Sequence, residues 1–132
     1  MKEIAPGVVG EAEIEVTPDT LASKWGSGAV GVFSTPALVG LMEAAALKAV
    51  EPYLEDGETT VGALVNITHL APTPPGLKVR ARATLVETAG RKMVFTVEAW
   101  DDREKVGEGT HERFVVDRER FMSKAKKKVT TP

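Results

Sequence analysis

The 132 residues contain no cysteine and only two histidines, His69 and His111. Without cysteine there can be no disulfide, thiolate zinc site or thiol nucleophile. Two imidazoles would need carboxylates or a second chain to complete a metal centre, so no metal ligand is assigned. Aromatic residues make up 5% of the chain, leaving few stacking platforms for nucleic acid. No apolar run reaches the length of a membrane span, and the first residues, Met1 to Pro6, lack the apolar stretch of a signal peptide. The expectation is a cytoplasmic protein without nucleic-acid or membrane partners. Its length suits one domain, 1-132, with a sizeable core.

The net charge of −2 conceals an asymmetry: residues 1–117 carry 11 Lys and Arg against 18 Asp and Glu, whereas residues 118–132 carry 6 against 1. An anion contact is one reading of this basic tail. A last helix whose lysines (Lys124, Lys126, Lys127, Lys128) are solvated and complement its negative end is the simpler one.

Glutamates alternate with apolar residues over 8–16, the period of a half-buried strand. Thr17-Pro18-Asp19 opens a short helix through Trp25. A glycine-rich loop (Gly26, Gly28, Gly31) follows, and Thr35-Pro36 starts a helix that runs to Val50, where Pro52 ends it. Only Glu43 and Lys48 are charged between Pro36 and Val50, so this helix is apolar nearly all round and belongs inside the molecule. Residues 61–70, 77–88, 91–100 and 105–117 read as strands. Their short, turn-rich links predict an antiparallel meander. A 15-residue helix is roughly 22 Å long, close to the span of a strand of about seven residues. The predicted architecture is therefore α+β: an antiparallel sheet of about five strands wrapped around a long central apolar helix, the hotdog fold. Open sheet edges and an incompletely covered helix predict a homodimer or larger assembly.

Gly26-Ser27-Gly28-Ala29-Val30-Gly31 carries the letters of a dinucleotide fingerprint but lacks the strand before it and the helix opening at its last glycine; it is read as a loop. Thr35 reads as the helix N-cap, at a terminus whose amides suit an oxyanion. Glu43 falls in the stripe Val39, Met42, Glu43, Ala46, Leu47, Val50. A carboxylate there calls for a partner, such as Arg113, or for an elevated pKa useful to a general base. His69 ends a strand on the face of Val61, Ala63, Val65 and Ile67. His111 and Arg113 share a face with Gly107 and Gly109, and Arg113 would pair with Glu43 or grip an anion.

Four stretches, Val32–Thr35 running into Val39–Glu43, Pro52–Glu55 with Gly57-Glu58, Thr68–Gly76 and Gly107–Arg113, resemble the fluoroacetyl-CoA thioesterase-like branch of the hotdog superfamily. The resemblance covers roughly residues 8–128. It implies an acyl-CoA thioesterase whose catalytic threonine, glutamate and histidine fall on Thr35, Glu43 and His69, and whose substrate-contacting glycine and arginine fall on Gly62 and Arg113. Coenzyme A then enters as part of the substrate, with no separate cofactor. The fluoroacetyl enzyme carries lid phenylalanines before the central helix. This chain has Gly26 to Gly31 there, with Phe33 the nearest aromatic kept against the substrate, so fluoroacetyl selectivity is not expected. Thr35 and Glu43 are eight residues apart, roughly 12 Å along a helix, so either Thr35 lies off the helix axis, a water or substrate atom joins them, or the working Glu43 comes from the neighbouring subunit. The second copy that the sheet edges call for favours a site shared across a dimer. A hotdog hydratase or dehydratase and a non-catalytic acyl-CoA-binding dimer are the alternatives.

Overall fold

The computed structural model describes residues 2–130. Strand β1 (Val9–Glu15) leads through a 3-10 turn (Pro18–Thr20) and a single-turn helix α1 (Ala22–Trp25) to the central helix α2 (Thr35–Val50). Strands β2 (Glu58–His69), β3 (Lys78–Ala89), β4 (Lys92–Trp100) and β5 (Lys105–Asp117) follow, and α3 (Arg118–Thr130) closes the chain. All pairings in the five-stranded sheet are antiparallel, in the order β1-β3-β4-β5-β2. The sheet curls round α2, as the hotdog reading requires. The basic segment is indeed helical, with its lysines exposed, up to Thr130; residues 131–132 lie outside the described part.

Two expectations about connectivity fail. The short helix through Trp25 is broken at Leu21, which is extended and bridges Phe33. The four later strands do not form a meander: β2 pairs with β5 at the far edge, and only β3, β4 and β5 follow one another. The link between β2 and β3 contains Pro72, Pro74 and Pro75, which have no amide to donate and hold their predecessors extended. It therefore runs across the end of the sheet instead of folding back. Leu70 N–H donates to Val106 O (2.7 Å), Phe33 N–H to Thr73 O (2.8 Å) and Gly76 N–H to Val16 O (3.1 Å). Thr73 Oγ1 donates to Asp101 Oδ2 at 2.8 Å.

Small residues set how close the helix comes to the sheet. α2 packs on β1 and β3 and only grazes β2. A methyl group at Gly10 would run into the backbone of Ala45 and Ala49, with Ala49 Cα 2.9 Å away. Ala81 and Ala83 of β3 and Leu38, Met42, Ala45 and Ala46 of α2 are fully buried in the same core. The inward–outward alternation on β3 matches the sequence reading: Val79, Ala81 and Ala83 are buried, and Lys78 and Arg80 are exposed.

The buried face of α2 is rotated from the one the spacing suggested. Met42, Ala46 and Val50 are buried, but Val39, Glu43 and Leu47 form a half-buried row on the flank towards β2. An apolar residue on nearly every face leaves the periodicity unable to choose a side; the small residues of β1 and β3 choose it.

Candidate active site

Ser34, not Thr35, caps α2. Its Oγ accepts from Ala37 N–H at 3.2 Å and its carbonyl from Leu38 N–H at 3.0 Å. Thr35 becomes the first helical residue with Pro36 next, a position that suits proline because its missing N–H has no helical partner there. This shift by one residue frees the Thr35 hydroxyl, which lies 2.8 Å from His69 Nδ1. It also settles the free amides of the first turn. Ala37 and Leu38 are engaged by Ser34 and proline has none, which leaves Thr35 N–H as the first-turn amide without a hydrogen bond among the described residues.

His69 ends β2 beside a cleft of about 350 Å³ lined by Ala22, Val30, Phe33, Thr35, Leu70 and Pro72 among others. Phe33 is fully buried and forms part of its wall. Burial pushes the His69 pKa below its usual value, which keeps the imidazole neutral near pH 7. With Nδ1 accepting the threonine proton, Nε2 carries the ring hydrogen, and that atom is buried without a hydrogen-bond partner among the described residues. Among the described residues no carboxylate lines this cleft.

The acid of the expected set is elsewhere. Glu43 keeps 39% of its side chain exposed in the single chain, so it is not the buried acid that the stripe suggested. Its Oε2 lies 3.6 Å from Arg113 Nη1, the pairing anticipated from the sequence. Arg113 is buried and anchored by Thr60: Nε–H donates to Thr60 Oγ1 and Nη2–H to Thr60 O, both at 2.8 Å. Burial lowers the guanidinium pKa, and the Glu43 carboxylate opposes that shift. Gly62 lies directly over this group: a methyl there would press on Glu43 Oε2, 3.3 Å from His111 Cε1 and 3.4 Å from Arg113 Nη1. Among the described residues no hydrogen bond or ion pair joins Glu43 to Thr35 or His69.

A β-bulge brings Gly62 to this position. The register of β2 against β5 shifts between Gly62, opposite Arg113, and Leu64, opposite Glu112. One extra residue reverses which side chains face inward. Thr60 and Gly62 therefore share the inner face with Val65, Ile67 and His69, while Val61 lies opposite the outward Phe114. The uninterrupted face Val61, Ala63, Val65, Ile67, His69 is corrected accordingly. Thr60 and Ser34 are the residues here to which the sequence reading gave no role; Ser34 lies within the Val32–Thr35 stretch, where Thr35 drew the assignment, and no motif marks Thr60.

The basic residues of β3 and β4 are engaged on the sheet surface. Arg82 pairs with Glu11 (2.8 Å) and Lys92 with Glu112 (3.4 Å), and the guanidinium carbons of Arg80 and Arg82 lie 5.9 and 5.6 Å from the Trp100 ring centre. No cluster of three His, Asp or Glu residues able to hold a metal occurs among the described residues, and no helix there is long and apolar enough to cross a membrane.

A curled antiparallel sheet around a central helix, with a threonine–histidine pair at the helix start, places the chain among the hotdog-fold thioesterases. Solved structures of such proteins share its architecture: a Thermus thermophilus thioesterase superfamily member is 29% identical with TM-score 0.89, all of each chain being covered. More particularly, residues 16–119 match the fluoroacetyl-CoA-specific thioesterase family, to which this chain belongs. The fluoroacetyl-CoA thioesterase of Streptantibioticus cattleyicolor is 45% identical over 97 residues, 74% of this chain and 70% of that protein. A solved fluoroacetyl-CoA thioesterase, a threonine-to-serine variant in complex with acetyl-CoA, is 36% identical with TM-score 0.90, covering 98% of this chain and 100% of the other.

Proposed function

We propose that residues 1–132 form one unit that hydrolyses a small acyl-CoA thioester at a site shared by two protomers. Thr35 and His69 of one chain work beside the partner subunit's Glu43, which Gly62 and Arg113 hold in place. The observation that carries this reading is a division of labour. Among the described residues the cleft has a hydroxyl–imidazole pair and no carboxylate, while the Glu43 carboxylate lies half uncovered on the α2 flank beside β2. That flank is open. Ala63 to Asn66 of the β2 edge are exposed, with Leu64 at 45% and Val65 at 38%. Apolar side chains on an unpaired edge favour pairing with a second copy. The acyl-CoA thioesterase activity follows the family, and the acetyl-CoA complex of the relative described above supports a small acyl group.

The chemistry is an acyl transfer to water. Neutral His69 accepts the Thr35 proton at Nδ1 and raises the nucleophilicity of the hydroxyl, or of a water in its place. Attack at the thioester carbon places negative charge on the carbonyl oxygen, which Thr35 N–H and the positive end of α2 stabilise. The C–S bond breaks, the coenzyme A thiolate leaves and takes up a proton, and the acid is released. If the acyl group passes to threonine, Glu43 activates the water that removes it; if water attacks first, Glu43 orients that water. Phe33 forms the wall against the acyl group. The reading extends to a cytoplasmic homodimer acting without a resident cofactor or metal.

Release of free thiol across a panel from acetyl-CoA to long-chain acyl-CoA tests the activity. No release above background by folded protein would refute it. Mixing Thr35→Ala and Glu43→Gln chains tests the sharing: verified mixed dimers regain turnover if the groups act across the interface and stay inactive if they do not.

A further inference from the structure

A second histidine lies buried behind Arg113, and the hydrolytic scheme leaves it without a task. His111 is 1% exposed, and its ring stacks on Phe95 of β4 with centroids 6.2 Å apart. Its Nδ1 is 2.8 Å from Leu64 O, just past the β2 bulge, and its Nε2 is 3.2 Å from Arg113 Nη1. Each partner imposes a role. A carbonyl oxygen only accepts, so Nδ1 must carry hydrogen; a guanidinium only donates, so Nε2 must offer its lone pair. Both demands are met by one form of the ring, the neutral Nδ1–H tautomer.

We propose that His111 is a positioning residue for thioester hydrolysis, tying the bulged edge strand to β5 through Leu64 O and aiming Arg113 at Glu43 through Nε2. This deepens the functional reading above and rests on it. Arg113 is gripped by Thr60 on its Nε and Nη2 side, and Nη1 is the nitrogen that faces Glu43. The Nε2 lone pair orients that nitrogen, so the direction of the carboxylate depends on a ring that never touches substrate.

The arrangement makes the site sensitive to acid. The charged groups facing His111 are Arg113 and Glu112 on β5 and Glu43 on α2; β2 presents the Leu64 carbonyl and β4 the uncharged Phe95. Burial is the largest influence and lowers the His111 pKa, and Arg113 adds to it. The Leu64 carbonyl, Glu43 and Glu112 pull the other way. Protonation would replace the lone pair with an N–H aimed at a guanidinium, releasing Arg113 from its position.

Two measurements test the proposal. Imidazole nitrogen NMR is readable because the chain has two histidines, and His69→Gln assigns the signals. At neutral pH His111 should show a protonated Nδ1 and a bare Nε2; an Nε2–H tautomer or a charged ring would overturn the proposal. The spectrum is taken without substrate, so it decides the point even if the thiol-release panel fails. Kinetics supply the second measurement. His111→Gln returns an acceptor near the Nε2 position, whereas His111→Asn keeps the donor to Leu64 O and loses that acceptor. The glutamine variant should hold kcat near wild type at neutral pH, with an acid limb one proton less steep. The asparagine variant should lose about tenfold in kcat, the scale of one charged hydrogen bond, with KM unchanged. Equal kcat in the two variants, with acid limbs as steep as that of the wild type, would show that His111 only fills space.

Discussion

Thr35 Oγ1 and His69 Nδ1 meet at 2.8 Å because the residue before the threonine caps the helix. Ser34 satisfies the first-turn amides, so the Thr35 hydroxyl need not. Two neighbouring hydroxyls thus carry two separate tasks, one holding the helix start and one facing the cleft. Ser34 is fully buried, whereas Thr35 is exposed to the cleft.

That separation predicts opposite phenotypes for adjacent substitutions. Ser34→Ala should lower stability by about 1 kcal/mol, the usual value of a cap, with kcat per folded molecule largely kept. His69→Ala should leave the denaturation midpoint near wild type and reduce kcat by about 10²–10⁴-fold, as expected for loss of a general base. Thr35→Ala should also lower kcat without unfolding the protein. Urea denaturation and thiol release on the same preparations separate the two classes, and a large kcat loss in Ser34→Ala with intact His69 variants would reverse the assignment.

Gly62→Ala addresses the Glu43 side. The added methyl would press on the carboxylate, which is the free end of a flexible side chain and can swing aside. The thermal midpoint should change little, while kcat falls on the order of 10²-fold, as expected for a misplaced reacting group. Unchanged turnover would mean that the orientation of Glu43 does not matter to the reaction.

Both histidines predict loss of stability in mild acid. Burial lowers each folded-state pKa below the unfolded value of 6.5. Above about pH 6.5 the rings are neutral in both states, and their contribution is fully present. As the pH falls below that value, the unfolded chain binds protons that the folded chain resists, so stability declines until the folded pKa values are reached. Urea midpoints between pH 7.5 and 5.5 should therefore drop, and a His69→Gln, His111→Gln double variant should flatten the drop across this window.

Gly10→Ala tests the core without touching the cleft. Its methyl would meet the backbone of Ala45 and Ala49, which cannot rotate away as a side chain can. A loss of about 1–3 kcal/mol or more is expected for such overpacking, seen as a lower chemical-denaturation midpoint. Specific activity at temperatures where the variant is folded should stay close to wild type.

Much of this molecule is written locally. Alternation fixed which side chains of β1 and β3 point inward, and the uncharged composition of α2 marked the helix that the sheet encloses. What local pattern could not supply was phase and partnership. The Gly62–Leu64 bulge is one unmarked extra residue, yet it decides that Thr60 and Gly62 face Arg113. The pairing of β2 with β5 depends on contacts between distant segments, and the prolines that prevent a hairpin at 72–75 also resemble turn signals. Ser34 and Thr35 are chemically alike as caps, so backbone geometry decided between them. Glu43 looked buried because its neighbours on the stripe are apolar; the open β2 flank explains why it is not.

The backbone contact at Gly10 has a mechanical consequence. With Ala45 and Ala49 of α2 seated against β1, the helix cannot slide along its axis without a collision. A helix held at one height on the sheet keeps Thr35, in its first turn, level with His69 at the end of β2, so the 2.8 Å pair is set by the packing of small residues ten or more residues away along the chain.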